Sequence, residues 1–189
     1  MNDNIIYVKN MVCPRCVSAV QRVLTKLDLK FIKVDLGEVI LNDPIAPHKK
    51  NALQIELETL GFGLINDRKS QIIEQMKNLV IDKVHYIKEP LSITWADYIR
   101  DELHLDYKYV SSLFSSIESI TFEQYIIQQK IERIKELIVY DELNLSEIAF
   151  QLDYSSVAYL SNQFKKITGM TPTQFKKGIV KNRKSLDQI

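Results

Sequence analysis

Two stretches in the second half of the chain repeat each other. Ile99-Arg-Asp-Glu-Leu-His-Leu105 aligns with Ile148-Ala-Phe-Gln-Leu-Asp-Tyr154, and a residue of helix-capping type follows each, Asp106 or Ser155. Each copy then enters a segment with the same apolar spacing, Val110-Ser-Ser-Leu-Phe114 against Leu160-Ser-Asn-Gln-Phe164. The pattern predicts helix, tight turn, helix, used twice. The tight turn requires left-handed backbone; His104 and Asp153 hold those places, and both types are enriched there among non-glycine residues. Ala149 is small enough to let two helices cross closely.

The rest of the chain is read around that repeat. Between the copies, Ile127, Ile131, Ile134 and Ile138 form one stripe of a helix over 122–140. At ~1.5 Å per residue such a helix spans ~28 Å, close to the ~34 Å between successive major grooves on one face of DNA. It suits a rigid spacer between two readers of one duplex. Further helices are predicted over 92–103, 106–117, 145–152, 156–167 and 172–178. The first half alternates shorter elements. Ile5-Ile6-Tyr7-Val8 is β-prone, and Val17 to Leu27 carries a helical stripe. Leu29, Phe31, Val34 and Leu36 mark a half-buried strand in which Ile32 breaks the alternation. Gly37-Glu38 turns into Val39-Ile40-Leu41. Pro44 and Pro47 break the chain before a helix over His48–Leu60 that ends at Gly61, and Phe62 to Ile65 is a last strand. The order βαββαβ is that of a ferredoxin-like sandwich. A helix over Ser70–Tyr86 connects the halves, and Glu89-Pro90 ends it. The expected fold class is α+β: an N-terminal ferredoxin-like domain over 1–66, a connecting helix over 67–89, an all-α double helix-turn-helix domain over 90–180, and a basic tail over 181–189.

Composition narrows the function classes. With 46% hydrophobic and 26% charged residues in 189, the chain has the make-up of a soluble protein with a real core. No apolar run approaches the ~18–20 residues of a membrane span. The start, Met1-Asn2-Asp3-Asn4, lacks a secretory signal pattern. Two cysteines make no disulfide scaffold, so the expected setting is reducing and cytoplasmic. The net charge of +1 does not by itself point to nucleic acid. Distribution matters more than the total: no acid lies between Asp153 and Asp187, where Lys165, Lys166, Lys176, Lys177, Lys181, Arg183 and Lys184 fall, and taken alone such a run reads as a solvated basic tail. The five glycines form no phosphate loop, and no acid/base or nucleophile constellation argues for an enzyme.

The run Leu145-Ser-Glu-Ile-Ala-Phe-Gln-Leu-Asp-Tyr-Ser-Ser-Val-Ala-Tyr-Leu-Ser-Asn-Gln-Phe-Lys-Lys-Ile-Thr-Gly-Met-Thr-Pro-Thr-Gln-Phe175 resembles the signature of AraC-type transcription regulators, most specifically in Phe164-Lys165-Lys166 and Gly169-Met-Thr-Pro172. The resemblance covers roughly residues 90–180. It implies a seven-helix domain that lays two recognition helices in successive major grooves of double-stranded DNA. Base-facing positions would be Tyr107, Lys108, Ser111 and Ser112 on the first, and Ser156, Val157, Ala158 and Asn162 on the second. Asn162 suits adenine, and Ala158 or Val157 a thymine methyl. Lys165 and Lys166 suit phosphate, as does the helix start after Thr171. Tyr159 is read as a packing residue, and Tyr107 as either packing or base-facing. Arg100, Ser111, Ser112 and Val157 depart from the pattern of many relatives, and those in the first unit point to weak or shape-based reading by it. RNA polymerase and a second copy of the chain are candidate partners; a membrane is not.

Met11-Val-Cys13-Pro-Arg-Cys16, after a strand and before a helix, resembles the loop of heavy-metal-associated domains over about 65 residues. Two thiolates so spaced can converge on one soft ion, Cu(I) or Zn(II). A helix N-terminus is expected to lower their pKa. Met11 would be a buried anchor, and Phe62 would pack beneath the loop. Asn10 and Val12 replace the usual Gly and Thr. Metal binding is the first reading, a redox dithiol the second and a degenerate structural loop the third. A chaperone or dithiol protein whose helical half binds a protein partner is a further alternative to the metal-responsive regulator. His48, His85 and His104 are read as isolated surface or turn residues.

Overall fold

Alternation of apolar residues sets the first strand, β1 (Ile5–Lys9), whose Ile6 and Val8 are buried. The computed structural model describes residues 4–87 and 89–178; the basic tail at 181–189 lies outside them. After β1 come α1 (Pro14–Lys26), β2 (Phe31–Val34), β3 (Glu38–Leu41), α2 (Pro47–Thr59) and β4 (Gly63–Ile65). The strands form one antiparallel sheet in the order β2-β3-β1-β4. Proline opens both helices, where its missing N–H costs nothing. One face of α1 buries Val20, Val23 and Leu24, and α2 buries Leu53 and Leu57, against Val8, Val34, Val39 and Leu41 of the sheet. Each such side chain contributes about 1.5–3 kcal/mol relative to exposure.

Ile32 leaves the alternation because the ladder slips there. Phe31 pairs with Leu41 and Lys33 with Ile40, so the residue between bulges outward and Ile32 stays 67% exposed. At the β2–β3 turn Gly37 has φ +77 and its carbonyl accepts from Val8 N–H at 3.0 Å.

The chain divides between Asn78 and Leu79 into two units, inside α3 (Arg68–Ile81). The single helix expected through Tyr86 instead ends in a π turn, Asp82–Tyr86. The widened turn brings the adjacent Val84 and His85 both inward. Before the division, Glu74 accepts from Asn10 N–H at 2.9 Å, and Asn78 Nδ2 donates to the Leu36 carbonyl at 3.1 Å.

The second unit is helical: α4 (Trp95–Leu103), α5 (Tyr107–Glu118), α6 (Phe122–Tyr140), α7 (Leu145–Gln151), α8 (Val157–Thr168) and α9 (Pro172–Gly178). Among the described residues no helix is long and apolar enough to cross a membrane. Side-chain caps start α4 to α8: Thr94, Asp106, Thr121, Asn144 and Ser156 each accept from a backbone N–H of the first turn. The α8 cap is thus Ser156, one place beyond the expected Ser155. Its core joins Ile99, Val110, Phe114, Phe122, Tyr125, Ile131, Ile134, Ile148, Leu160, Phe164 and Phe175.

A Cβ on Gly37 would lie 2.0 Å from Asn78 Nδ2, and the backbone there is left-handed. Gly37→Ala is expected to lower the stability of the N-terminal unit by about 1–3 kcal/mol. Urea unfolding followed by a probe in that unit measures it; a shift below ~0.3 kcal/mol would show that the turn relaxes freely.

Candidate nucleic-acid interface and thiol loop

The repeat is deeper than the sequence alignment indicated. Cap to cap, Thr94 to Asp106 and Asn144 to Ser156, the units have equal length. Their left-handed residues, His104 (φ 53) and Asp153 (φ 56), fall one place apart within that frame. The first unit therefore has the longer first helix and the shorter turn. Past the second helix the match continues. Ser119 and Gly169 are left-handed C-caps. Thr121 and Thr171 then form reciprocal capping boxes with Gln124 and Gln174. Phe114 packs against Tyr125, and Phe164 against Phe175, with centroids 5.4 and 5.6 Å apart.

Helix α6 holds both units. At its start Glu123 accepts from the Tyr107 hydroxyl at 2.6 Å, while the Tyr107 ring lies edge-on to Phe122. Further along, Lys130 Nζ donates to the Leu152 carbonyl at 2.5 Å, at the C-cap of α7, and lies 5.3 Å from the Tyr154 ring centroid. Burial pushes the Lys130 amine below its ordinary pKa, with Asp153 opposing. Asp153 itself accepts from Leu91 N–H at 3.0 Å. At the far end Asp141 pairs with Lys176 of α9.

The predicted base-facing residues separate into two groups. Lys108, Ser112, Ala158 and Asn162 are exposed on α5 and α8. The other four are partly committed. Tyr107 is half-buried and bonded to Glu123; Ser111 is half-buried with its hydroxyl on the Lys108 carbonyl; Val157 is half-buried; and Ser156 spends its hydroxyl on Tyr159 N–H. Lys165 and Lys166 are exposed near the end of α8. Thr171 is not an open donor, because both its N–H and its hydroxyl reach Gln174. Sequence reasoning misplaced one aromatic and missed another. Tyr159 is 54% exposed, against the expectation of packing, although its ring leans on Tyr154. Tyr109, 49% exposed, takes the equivalent place on α5. The signal was available: each is the third residue after its cap. His48 and His104 are exposed as expected. His85 is not; it is buried, with Nε2 3.0 Å from Gln129 Oε1.

In the N-terminal unit, Cys13 caps α1 and Cys16 lies in its first turn, their Sγ atoms 3.3 Å apart. Met11 is wholly buried, and Phe62 packs on the same core. Asn10 is left-handed (φ 69) and its amide donates to the Gly61 carbonyl at 2.9 Å. The expected lowering of thiol pKa is reversed at Cys16. Burial and the hydrogen bond with Cys13 push it up, against weaker backbone donors. Among the described residues no group of three or more His, Cys, Asp or Glu gathers to hold a metal.

Residues 99–178 match the family described as a helix-turn-helix domain. The second unit thus contains a helix-turn-helix domain. The uncharacterized transcriptional regulatory protein YesN of Bacillus subtilis is 30% identical over 110 residues, which cover 57% of this chain and 29% of YesN. The Msm operon regulatory protein of Streptococcus mutans is 23% identical over 146 residues, 75% of this chain and 52% of that protein. The chain thus spans about half or less of the length of these curated relatives. The C-terminal domain of AraT, a response regulator from Geobacillus stearothermophilus, shares the fold with a TM-score of 0.51 at 24% identity, over 63% of this chain and 92% of that one.

The Tyr107 hydroxyl holds the Glu123 carboxyl below its ordinary range. Stability from that bond is present above the ordinary carboxylate pKa and is lost as pH falls through the depressed one. Glu123 is largely exposed, so the amount is under ~1 kcal/mol. In Tyr107→Phe the Glu123 pKa is expected to return upward, read by a carboxyl NMR titration. An unmoved titration would show that the bond is absent in solution.

Proposed function

We propose that the chain is a DNA-binding transcription regulator whose two helix-turn-helix units read neighbouring major grooves, modulated by a soft metal ion at Cys13 and Cys16. The observation that carries the reading is the doubled unit itself, with α5 and the end of α7 both bonded to α6 and with exposed polar residues on α5 and α8. The Asn162 amide offers the donor and acceptor pair that adenine matches, Ala158 suits a thymine methyl, and Lys108 suits guanine. Lys165 and Lys166 supply phosphate contacts that fix register.

For the N-terminal unit, the βαββαβ order, the strand order β2-β3-β1-β4 and the buried Met11 support a ferredoxin-like, heavy-metal-associated domain. The donor set fits the ion in part. Two thiols in contact, both half-buried, suffice for Cu(I), whereas Zn(II) usually takes four ligands. A bound ion would supply positive charge in place of the thiol protons. This chain's own part is to hold the loop: Asn10 N–H is anchored on Glu74 of α3, so a change in loop shape loads that helix. Modulation requires the ion to bind the DNA-competent and incompetent states differently. The 3.3 Å sulfur separation also favours a second reading, a dithiol closed by a disulfide oxidant.

Duplexes selected from a random pool by the full chain are expected to share two half-sites about one helical turn apart. No enrichment would overturn the DNA assignment. Titration of the selected duplex with wild type and Cys13→Ser/Cys16→Ser, with and without Cu(I), then tests sensing. Cu(I) should shift the wild-type curve at least about fivefold and leave the variant unmoved. Four coincident curves would remove metal sensing, and a shift by oxidised dithiothreitol alone would transfer the role to redox.

A further inference from the structure

The two helix-turn-helix units carry opposite charge. From Thr94 to Gln128 the acids are Asp97, Asp101, Glu102, Asp106, Glu118 and Glu123, against only Arg100 and Lys108. Arg100 is neutralised at home, 2.8 Å from Asp97 and 3.3 Å from Asp101. From Asn144 to Gly178 the balance reverses: Lys165, Lys166, Lys176 and Lys177 against Glu147 and Asp153. Both of those acids are occupied by backbone N–H groups, Glu147 by Asn144 and Asp153 by Leu91. Lys165, Lys166 and Lys177 are exposed and have no ion-pair partner among the described residues.

The hydroxyls show the same asymmetry. On α5, Ser111, Ser115 and Ser116 each bond a carbonyl of their own helix, and Tyr107 bonds Glu123. Exposed Lys108, Tyr109 and Ser112 remain there to donate to phosphate, and only Lys108 is charged. In a helix-turn-helix the first helix crosses the DNA backbone while the second enters the groove. In the first unit that crossing helix would be α4, which carries Asp97, Asp101 and Glu102, with Arg100 shared by the first two.

We propose that the two units engage DNA unequally: the second supplies the phosphate contacts that hold the duplex, and the first docks against electrostatic repulsion, adding base contacts but no net phosphate neutralisation. This rests on the DNA reading above and deepens it. Its consequence is that affinity and register belong to α8 and its flanks, while the acids of α4 keep the protein from clinging to unrelated DNA.

The test is the salt dependence of binding by the full chain to its selected duplex and to an unrelated one. Each neutralised phosphate contributes about 0.9 to the slope of log K against log salt. Lys165→Gln/Lys166→Gln is expected to reduce that slope by about 1.8 and to weaken both duplexes alike. Lys108→Gln should change the slope by less than about 0.3 while relaxing sequence preference, on the same scale. Asp101→Asn/Glu102→Gln should tighten both duplexes, most at low salt. Circular dichroism melting confirms that each variant is folded. A slope loss in Lys108→Gln equal to that of one α8 lysine would overturn the proposal, as would unchanged affinity in Asp101→Asn/Glu102→Gln. Wild-type protein that enriches no duplex would instead defeat the DNA reading itself, before any variant is compared.

Discussion

Lys130 lies largely buried, its amine on the Leu152 carbonyl and its charge over the Tyr154 ring. A helix C-terminus leaves carbonyls unpaired and partly negative, so a cation placed there satisfies both deficits. Here the cation comes from α6 and not from α7 itself, which turns a capping contact into a docking contact. Tyr154 extends it, because its hydroxyl donates to Gln163 of α8 and its ring supports Tyr159. One amine thus links the spine, the end of α7, the turn and α8. The first unit achieves the same end with a neutral donor, Tyr107 on Glu123. That bond is more exposed and acts on α5 alone. The second unit is the more firmly seated of the two, and it also carries the free lysines.

The other face of α6 is more polar than a spacer requires. Gln129, Glu132 and Lys135 are all buried, with Glu132 and Lys135 paired at 2.6 Å, and Arg133 meets Glu136 at 2.8 Å beside His85. Buried ion pairs add little net stability over apolar packing, but breaking one is costly. A polar seam of this kind selects one register for the π turn that meets it, where an isoleucine stripe alone would tolerate sliding. The π turn is itself a local distortion, and its retention next to His85 and Gln129 fits a contact that must be made in one way.

What was legible in the sequence follows from how local each determinant is. The left-handed turns at His104 and Asp153, the apolar stripes and the α6 limits depend on neighbouring residues, and the pattern exposes them. The bulge at Ile32 was visible as a broken alternation, although its direction needed the β3 partner. The cap at Ser156 was misread because two adjacent serines offer the same chemistry, and only the lengths of the paired helices choose between them. His85 and Lys130 were not legible as anchors: each acts on a carbonyl or amide far along the chain. The exposure of Tyr159 was hidden by its type. An aromatic at that spacing usually packs, and here Tyr154 beneath it has taken the buried place.

The thiol loop shows how one substitution can be absorbed. Glycine is the residue of least strain for left-handed backbone, and at position 10 this chain has asparagine, the type that tolerates it next best. The side chain gives something glycine lacks, since its amide reaches the Gly61 carbonyl and joins the start of the loop to the end of α2. The backbone N–H of the same residue goes to Glu74. The loop entrance is therefore fastened from two directions before Met11 enters the core. Cys13 and Cys16 then sit on a fixed rim with a raised Cys16 thiol, protonated and in contact with its neighbour. A thiol in that state is a poor nucleophile at neutral pH. A soft cation must displace the same proton, so the raised thiol disfavours metal binding and disulfide formation alike.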